Sequence, residues 1–216
     1  MTDSGTREGG SGKSFFYGWW FPANLVTFAR IVLVVAYIAM TVAAGPRGEA
    51  NLTLRWVTAV LFIVAASTDK VDGWLARSRG EVTELGKLMD PIADKLLMCS
   101  ALVIFAAFGE YAFGWVIAVL FLIREVGITV MRFFVMERPG GKVIAAAWPG
   151  KLKTVFQSVS LSMFMLPFWS LGPSKLIDAY YVLAYVLLVV ALVLCLYSGF
   201  KYVAGVVGGP QGGDEK

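Results

Sequence analysis

Asp69-Lys70-Val71-Asp72-Gly73-Trp74-Leu75-Ala76-Arg77, followed after eight intervening residues by Gly86-Lys87-Leu88-Met89-Asp90-Pro91-Ile92-Ala93-Asp94, decides how this chain folds. The two stretches lie at the facing ends of two apolar runs, about Leu54 to Leu75 and about Leu88 to Phe108. Carboxylates at membrane depth are costly and by default mark a function. At 100° per residue, Asp69, Asp72, Gly73 and Ala76 share one helical stripe. Gly86, Asp90 and Asp94 form a second stripe on the next helix. An antiparallel hairpin of the two runs brings the stripes together, and the small residues let helices or a ligand approach closely. Four ionised carboxylates packed together repel one another and resist ionisation. Two divalent cations cancel that charge; one leaves half of it, which Arg77 offsets only in part. The arrangement therefore predicts a two-metal site suited to in-line phosphoryl chemistry. The competing reading is a set of solvated helix ends at the membrane surface.

Working outward, 58% of the 216 residues are hydrophobic and only 16% are charged, well below the roughly 25% of ordinary soluble domains. With a mean hydropathy of +0.71, the chain reads as an integral membrane protein. Four further apolar runs span about Leu25 to Ala44, Phe113 to Val135, Leu152 to Leu171 and Leu176 to Val203. An all-α protein with six transmembrane helices is expected. Residues 1–14, rich in Gly, Ser, Thr and charge, read as a disordered cytoplasmic tail. Residues 15–204 are expected to form a six-helix transmembrane catalytic domain, with the aromatic cluster Phe15 to Phe21 as an interfacial anchor. Residues 205–216, rich in Gly, read as a flexible tail. Lys and Arg are richer on the side of the N-tail, the 2–3 junction, the 4–5 loop and the C-tail, which puts both termini in the cytoplasm.

The chain has no histidine, so a metal must be held mainly by oxygen, favouring magnesium, manganese or calcium. Cys99 and Cys195 sit in apolar runs and read as buried thiols, not a disulfide framework. The net charge of +4 falls mostly between the apolar runs, which suits membrane lipids or an anionic substrate; no basic patch on a soluble fold points to nucleic acid.

The run Asp69-x2-Asp72-Gly73-x2-Ala76-Arg77-x8-Gly86-x3-Asp90-x3-Asp94 resembles the signature of the CDP-alcohol phosphotransferase family at every position. The resemblance implies six transmembrane helices, a site open to the cytoplasm, two divalent ions (Mg2+ or Mn2+) and a homodimer. It implies that Asp69, Asp72, Asp90 and Asp94 are metal ligands, with Asp94 also the general base that deprotonates the acceptor hydroxyl. Gly73, Ala76 and Gly86 would let the cytidine diphosphate of CDP-diacylglycerol approach, and Arg77 would contact its phosphate. Asn24, Thr27 and Thr83 are polar positions near the same interface. Outside the signature, Asn24 to Arg30, Arg124-Glu125 and Gly150 to Thr154 resemble the bacterial members whose acceptor is sn-glycerol 3-phosphate. A bacterial cell membrane location follows.

An anionic acceptor needs cations. Arg124 and Arg132 lie eight residues apart on the fourth run, about 80° apart around a helix. Lys151 and Lys153 open the fifth, where helix N-terminal amides add to anion affinity. These four are candidates for the acceptor phosphate; snorkelling to headgroups, or pairing of Arg124 with Glu125 or the aspartates, is the competing reading. Other acceptors within the family, phosphatidylglycerol or an inositol phosphate, remain open. A divalent-cation transporter is a different class, but such sites usually lie near the bilayer midplane on broken helices.

Overall fold

The computed structural model describes the backbone of residues 22–79, 84–136 and 148–207, and the side chains of most of them; those of residues 22–24, 26, 69–79, 84–88, 90–91, 132–136 and 207 lie outside the description. Among the described residues the regular structure is helical: α1 (Pro22–Ala44), α2 (Leu52–Arg79), α3 (Glu84–Phe108), α4 (Gly114–Met136), α5 (Trp148–Met165) and α6 (Lys175–Val207), with 3-10 turns at Pro46–Gly48 and Phe168–Leu171. Among the described residues, four stretches are long and apolar enough to cross a membrane: Thr27–Ala44, Gly114–Met131, Trp148–Leu171 and Lys175–Val206. In α2 the apolar stretch is the shorter Leu52–Thr68, because the charged signature begins at Asp69. The disordered tail expected over residues 1–14 lies outside the described residues; of the flexible tail expected over 205–216, residues 205–207 instead continue α6, and the rest lies outside the described residues.

The helices close into a ring in the order α1, α2, α5, α6, α4, α3, with α2 against α3 and α3 against α5 across it. Alanines at the seams (Ala59, Ala65, Ala101, Ala118, Ala184 and Ala191) are fully buried and let the backbones approach. Tyr37, Phe62, Leu97, Phe105, Phe121, Leu161 and Leu188 fill the space between them. Polarity runs inside out. Val32, Val35, Val60, Ile123, Val126, Val182, Val193 and Phe200 face outward, whereas Thr27, Arg30, Arg55, Lys153, Gln157, Ser160 and Ser198 are buried. Water would reverse that distribution; hydrocarbon demands it, because polar groups there must find partners inside the protein.

The fifth apolar run does not continue as one helix to Leu171. It stops at Met165, since Pro167 has no N–H to continue the helical ladder. The Tyr181 hydroxyl of α6 closes the break, donating to the Leu166 carbonyl at 2.6 Å and accepting the Phe168 N–H at 3.0 Å.

Near this break lies a charged knot that the sequence reading missed. By position in the sequence, Arg47 and Arg55 stand before and at the start of the second apolar run, where a cation ordinarily meets water. Arg55 is instead fully buried on α2. Its Nη2 meets Glu110 Oε2 at 2.5 Å and donates to the Phe164 carbonyl, while Nε donates to the Met165 carbonyl. The rings of Phe105 and Trp169 lie 5.2 and 5.7 Å from the guanidinium carbon. Glu110 Oε1 accepts the Arg47 N–H. Gly48 makes this possible: its φ is +72°, and a Cβ there would sit 2.8 Å from Arg55 Cβ.

Candidate active site

The acidic signature straddles the junction of two helices that pack on each other. Asp69, Asp72, Gly73, Ala76 and Arg77 lie on the last turns of α2, and Gly86, Asp90 and Asp94 on the first turns of α3. A helical rise of about 1.5 Å per residue spaces Asp69 from Asp72, and Asp90 from Asp94, by one turn in each case. The side chains of Asp69, Asp72, Ala76, Arg77 and Asp90 lie outside the described residues, as do Thr83 and the side chain of Asn24. Of the acids only the Asp94 side chain is described: it is half-buried, beside the fully buried Ala93. Among the described residues no group of three or more His, Cys, Asp or Glu converges on a metal position. The donor set on the two helix ends is nevertheless all oxygen, which fits a hard divalent cation such as Mg2+ or Mn2+. Thr27 is buried on α1, as is Arg30 one turn on.

The expected acceptor cations divide. Lys153 is buried, and its Nζ bonds to Glu125 Oε1. Arg124 Nη1 reaches the same oxygen at 3.0 Å. The two cations, from α5 and α4, therefore converge on one point. Lys151 instead is exposed, as the snorkelling reading expects, and the Arg132 side chain lies outside the described residues.

Arg124 is fastened from α6 as well. Its Nε donates to the Cys195 carbonyl at 3.2 Å and its Nη2 to Ser198 Oγ at 2.8 Å. Gly199 gives it room, since a Cβ there would lie 3.1 Å from Arg124 Cγ. A hydroxyl relay joins this cluster to the acidic helix. Lys95, next to Asp94, donates to Thr129 Oγ1, and that hydroxyl donates to the Glu125 carbonyl at 2.7 Å. The sequence reading did not reach Lys95, Thr129, Ser198 or Gly199. Ser198-Gly199 was the available signal, a polar and a bare residue within the apolar run of α6 that sit where an arginine must pass. Cys99 and Cys195 are free thiols, as expected.

Apolar outer faces around a buried, charged interior define a helical membrane protein with a polar site inside the bundle. The particular family follows from comparison: the CDP-alcohol phosphatidyltransferase family model matches residues 20–197, and the chain belongs to that family. A probable phosphatidylglycerophosphate synthase of Mycobacterium tuberculosis H37Rv is 38% identical over 182 residues, 84% of this chain and 79% of that protein. The CDP-diacylglycerol–glycerol-3-phosphate 3-phosphatidyltransferase of Bacillus subtilis 168 is 36% identical over 149 residues, covering 66% and 75%. The enzyme of the same name from Salmonella typhimurium LT2 is 31% identical over 190 residues, covering 86% and 94%. The chain is a transferase of phospholipid biosynthesis, and use of divalent metal ions goes with the family.

Proposed function

We propose that the protein transfers the phosphatidyl group of CDP-diacylglycerol to sn-glycerol 3-phosphate, giving phosphatidylglycerophosphate and CMP. Relatives with this named activity align over most of the chain. The observation that carries the acceptor assignment is the convergence of Arg124 and Lys153 on one point, tied through Thr129 and Lys95 to the helix of Asp94. A phosphate monoester calls for such a pair of cations, whereas a neutral alcohol does not; between glycerol 3-phosphate and an inositol phosphate, both monoesters, the named activity of the relatives favours the first.

In this reading the six helices all span the bacterial cell membrane as a homodimer, with both termini and the site on the cytoplasmic side. Asp69, Asp72, Asp90 and Asp94 hold two divalent ions, which when bound neutralise phosphate charge and stabilise an in-line displacement. Gly73, Ala76 and Gly86 give the cytidine diphosphate room, Arg77 contacts its phosphate, and Asn24, Thr27 and Thr83 line the nucleotide side. Arg124, Lys153 and Arg132 hold the acceptor phosphate, with Lys151 adding long-range attraction from the surface. Asp94 accepts the proton of the acceptor hydroxyl as that oxygen bonds to the β-phosphorus; the bond from that phosphorus to the CMP oxygen breaks, and CMP departs with the electron pair.

The test is CMP release by the purified protein from CDP-diacylglycerol with each acceptor in turn. Release with glycerol 3-phosphate, and little with phosphatidylglycerol or inositol phosphate, is expected. Release driven equally by either of the other acceptors would overturn the assignment.

A further inference from the structure

Glu125 stands in an unusual place for a carboxylate. One of its oxygens, Oε1, takes both Lys153 Nζ and Arg124 Nη1. Its side chain is only 15% exposed, and those of Arg124 and Lys153 are 16% and 8% exposed. All three charges thus sit inside the bundle, where their interactions are screened far less than at a surface. Each cation also has a fixed approach. Arg124 is held by the Cys195 carbonyl and Ser198 Oγ, while Lys153 rises from the first turns of α5.

An incoming phosphate seeks the same nitrogens that Glu125 Oε1 engages. It meets two positive charges accompanied by one negative charge, so the carboxylate repels the ligand that its neighbours attract. Resting on the acceptor-pocket reading above, we propose that Glu125 is an internal counter-anion. It competes with the acceptor's phosphate for Arg124 and Lys153, and so sets how weakly the acceptor and the phosphate-bearing product are held. Ground-state binding of a phosphate that does not itself react lowers KM without lowering the barrier to chemistry. A built-in competitor keeps that uniform binding in check and lets the product leave. Glu125 is then an affinity-determining residue acting through Arg124 and Lys153, not a group that touches the reacting atoms.

The test uses the full chain in lipid nanodiscs. Glu125→Gln keeps an oxygen that accepts from both cations but removes the charge. The KM for glycerol 3-phosphate is expected to fall about tenfold, which corresponds to ~1.4 kcal/mol. Inhibition by inorganic phosphate should tighten in parallel, while the KM for CDP-diacylglycerol holds. A purely structural counter-ion would instead give an unchanged or raised acceptor KM, which overturns the proposal. Glu125→Asp, which draws the charge back by one methylene, should lower the acceptor KM by a smaller factor and serves where the Gln variant does not fold. If both fail to fold while Arg124→Gln folds, Glu125 is a folding counter-ion and the proposal falls. Lys153→Met separates the two levels. If it raises both KM values alike, the acceptor pocket itself is wrong; if it raises only the acceptor KM while Glu125→Gln changes nothing, only the counter-anion role is lost.

Discussion

Lys151 and Lys153 are two residues apart, carry the same charge and open the same helix, yet the structure gives them different environments. Lys153 is buried with its ammonium on Glu125, beside Arg124; Lys151 is exposed. Methionine at position 153 keeps the aliphatic stem, and Arg124 still neutralises Glu125, so the bundle should hold. What disappears is one charged donor to the acceptor phosphate. A hydrogen bond between charged groups contributes about 2 kcal/mol, which predicts a rise of about thirtyfold in the acceptor KM for Lys153→Met. Lys151→Met removes only a solvated charge and should change that KM by less than about twofold. The assay is CMP release at saturating CDP-diacylglycerol with glycerol 3-phosphate varied, and the reverse titration as control. Equal effects of the two substitutions would mean that the helix end attracts anions by overall charge alone. Equal effects of Lys153→Met on both substrates would mean that Lys153 serves the site as a whole. Either result refutes a placed phosphate pocket.

Further outcomes follow from the same contacts. Asp94→Asn should retain CDP-diacylglycerol binding by equilibrium dialysis and lose turnover; normal turnover in the purified variant removes Asp94 as the base. In Gly199→Ala the new Cβ presses on an Arg124 side chain fastened at three points, and weakening one of those bonds by ~1 kcal/mol predicts an acceptor KM raised about fivefold, read by the same titration. Breaking the Arg55–Glu110 pair from either side leaves a buried charge without its partner and should cost about 3 kcal/mol in equilibrium unfolding. Arg55→Met with Glu110→Gln together should cost less than the sum of the two by over ~1 kcal/mol; strict additivity would show that the contact carries no coupling.

Where the sequence was legible, one rule governed. Long apolar runs must become helices in hydrocarbon, so α1 to α6 fall close to the expected segments, and the family signature was readable because its spacing is helical. Legibility failed where a residue's meaning depends on a partner distant in sequence. Arg55 looks like a loop cation until Glu110, 55 residues away, and the α5 carbonyls close around it. Lys151 and Lys153 are indistinguishable as letters; which of them turns inward depends on how α5 packs against α6, α2 and α3. Ser198 and Gly199 acquire a role only because α6 runs beside Arg124, 74 residues from Ser198. The end of α5 is legible only in part: Pro167 requires a break near it, but the stop at Met165 and its closure by Tyr181 depend on α6.

The most direct measurement of the central claim is mass spectrometry of the lipid formed by the purified protein from CDP-diacylglycerol and carbon-13-labelled sn-glycerol 3-phosphate, with Mg2+ or Mn2+ supplied. A labelled phosphatidylglycerophosphate, formed in step with CMP, is the predicted product. Unlabelled lipid, with CMP released by hydrolysis to phosphatidic acid, would contradict the account.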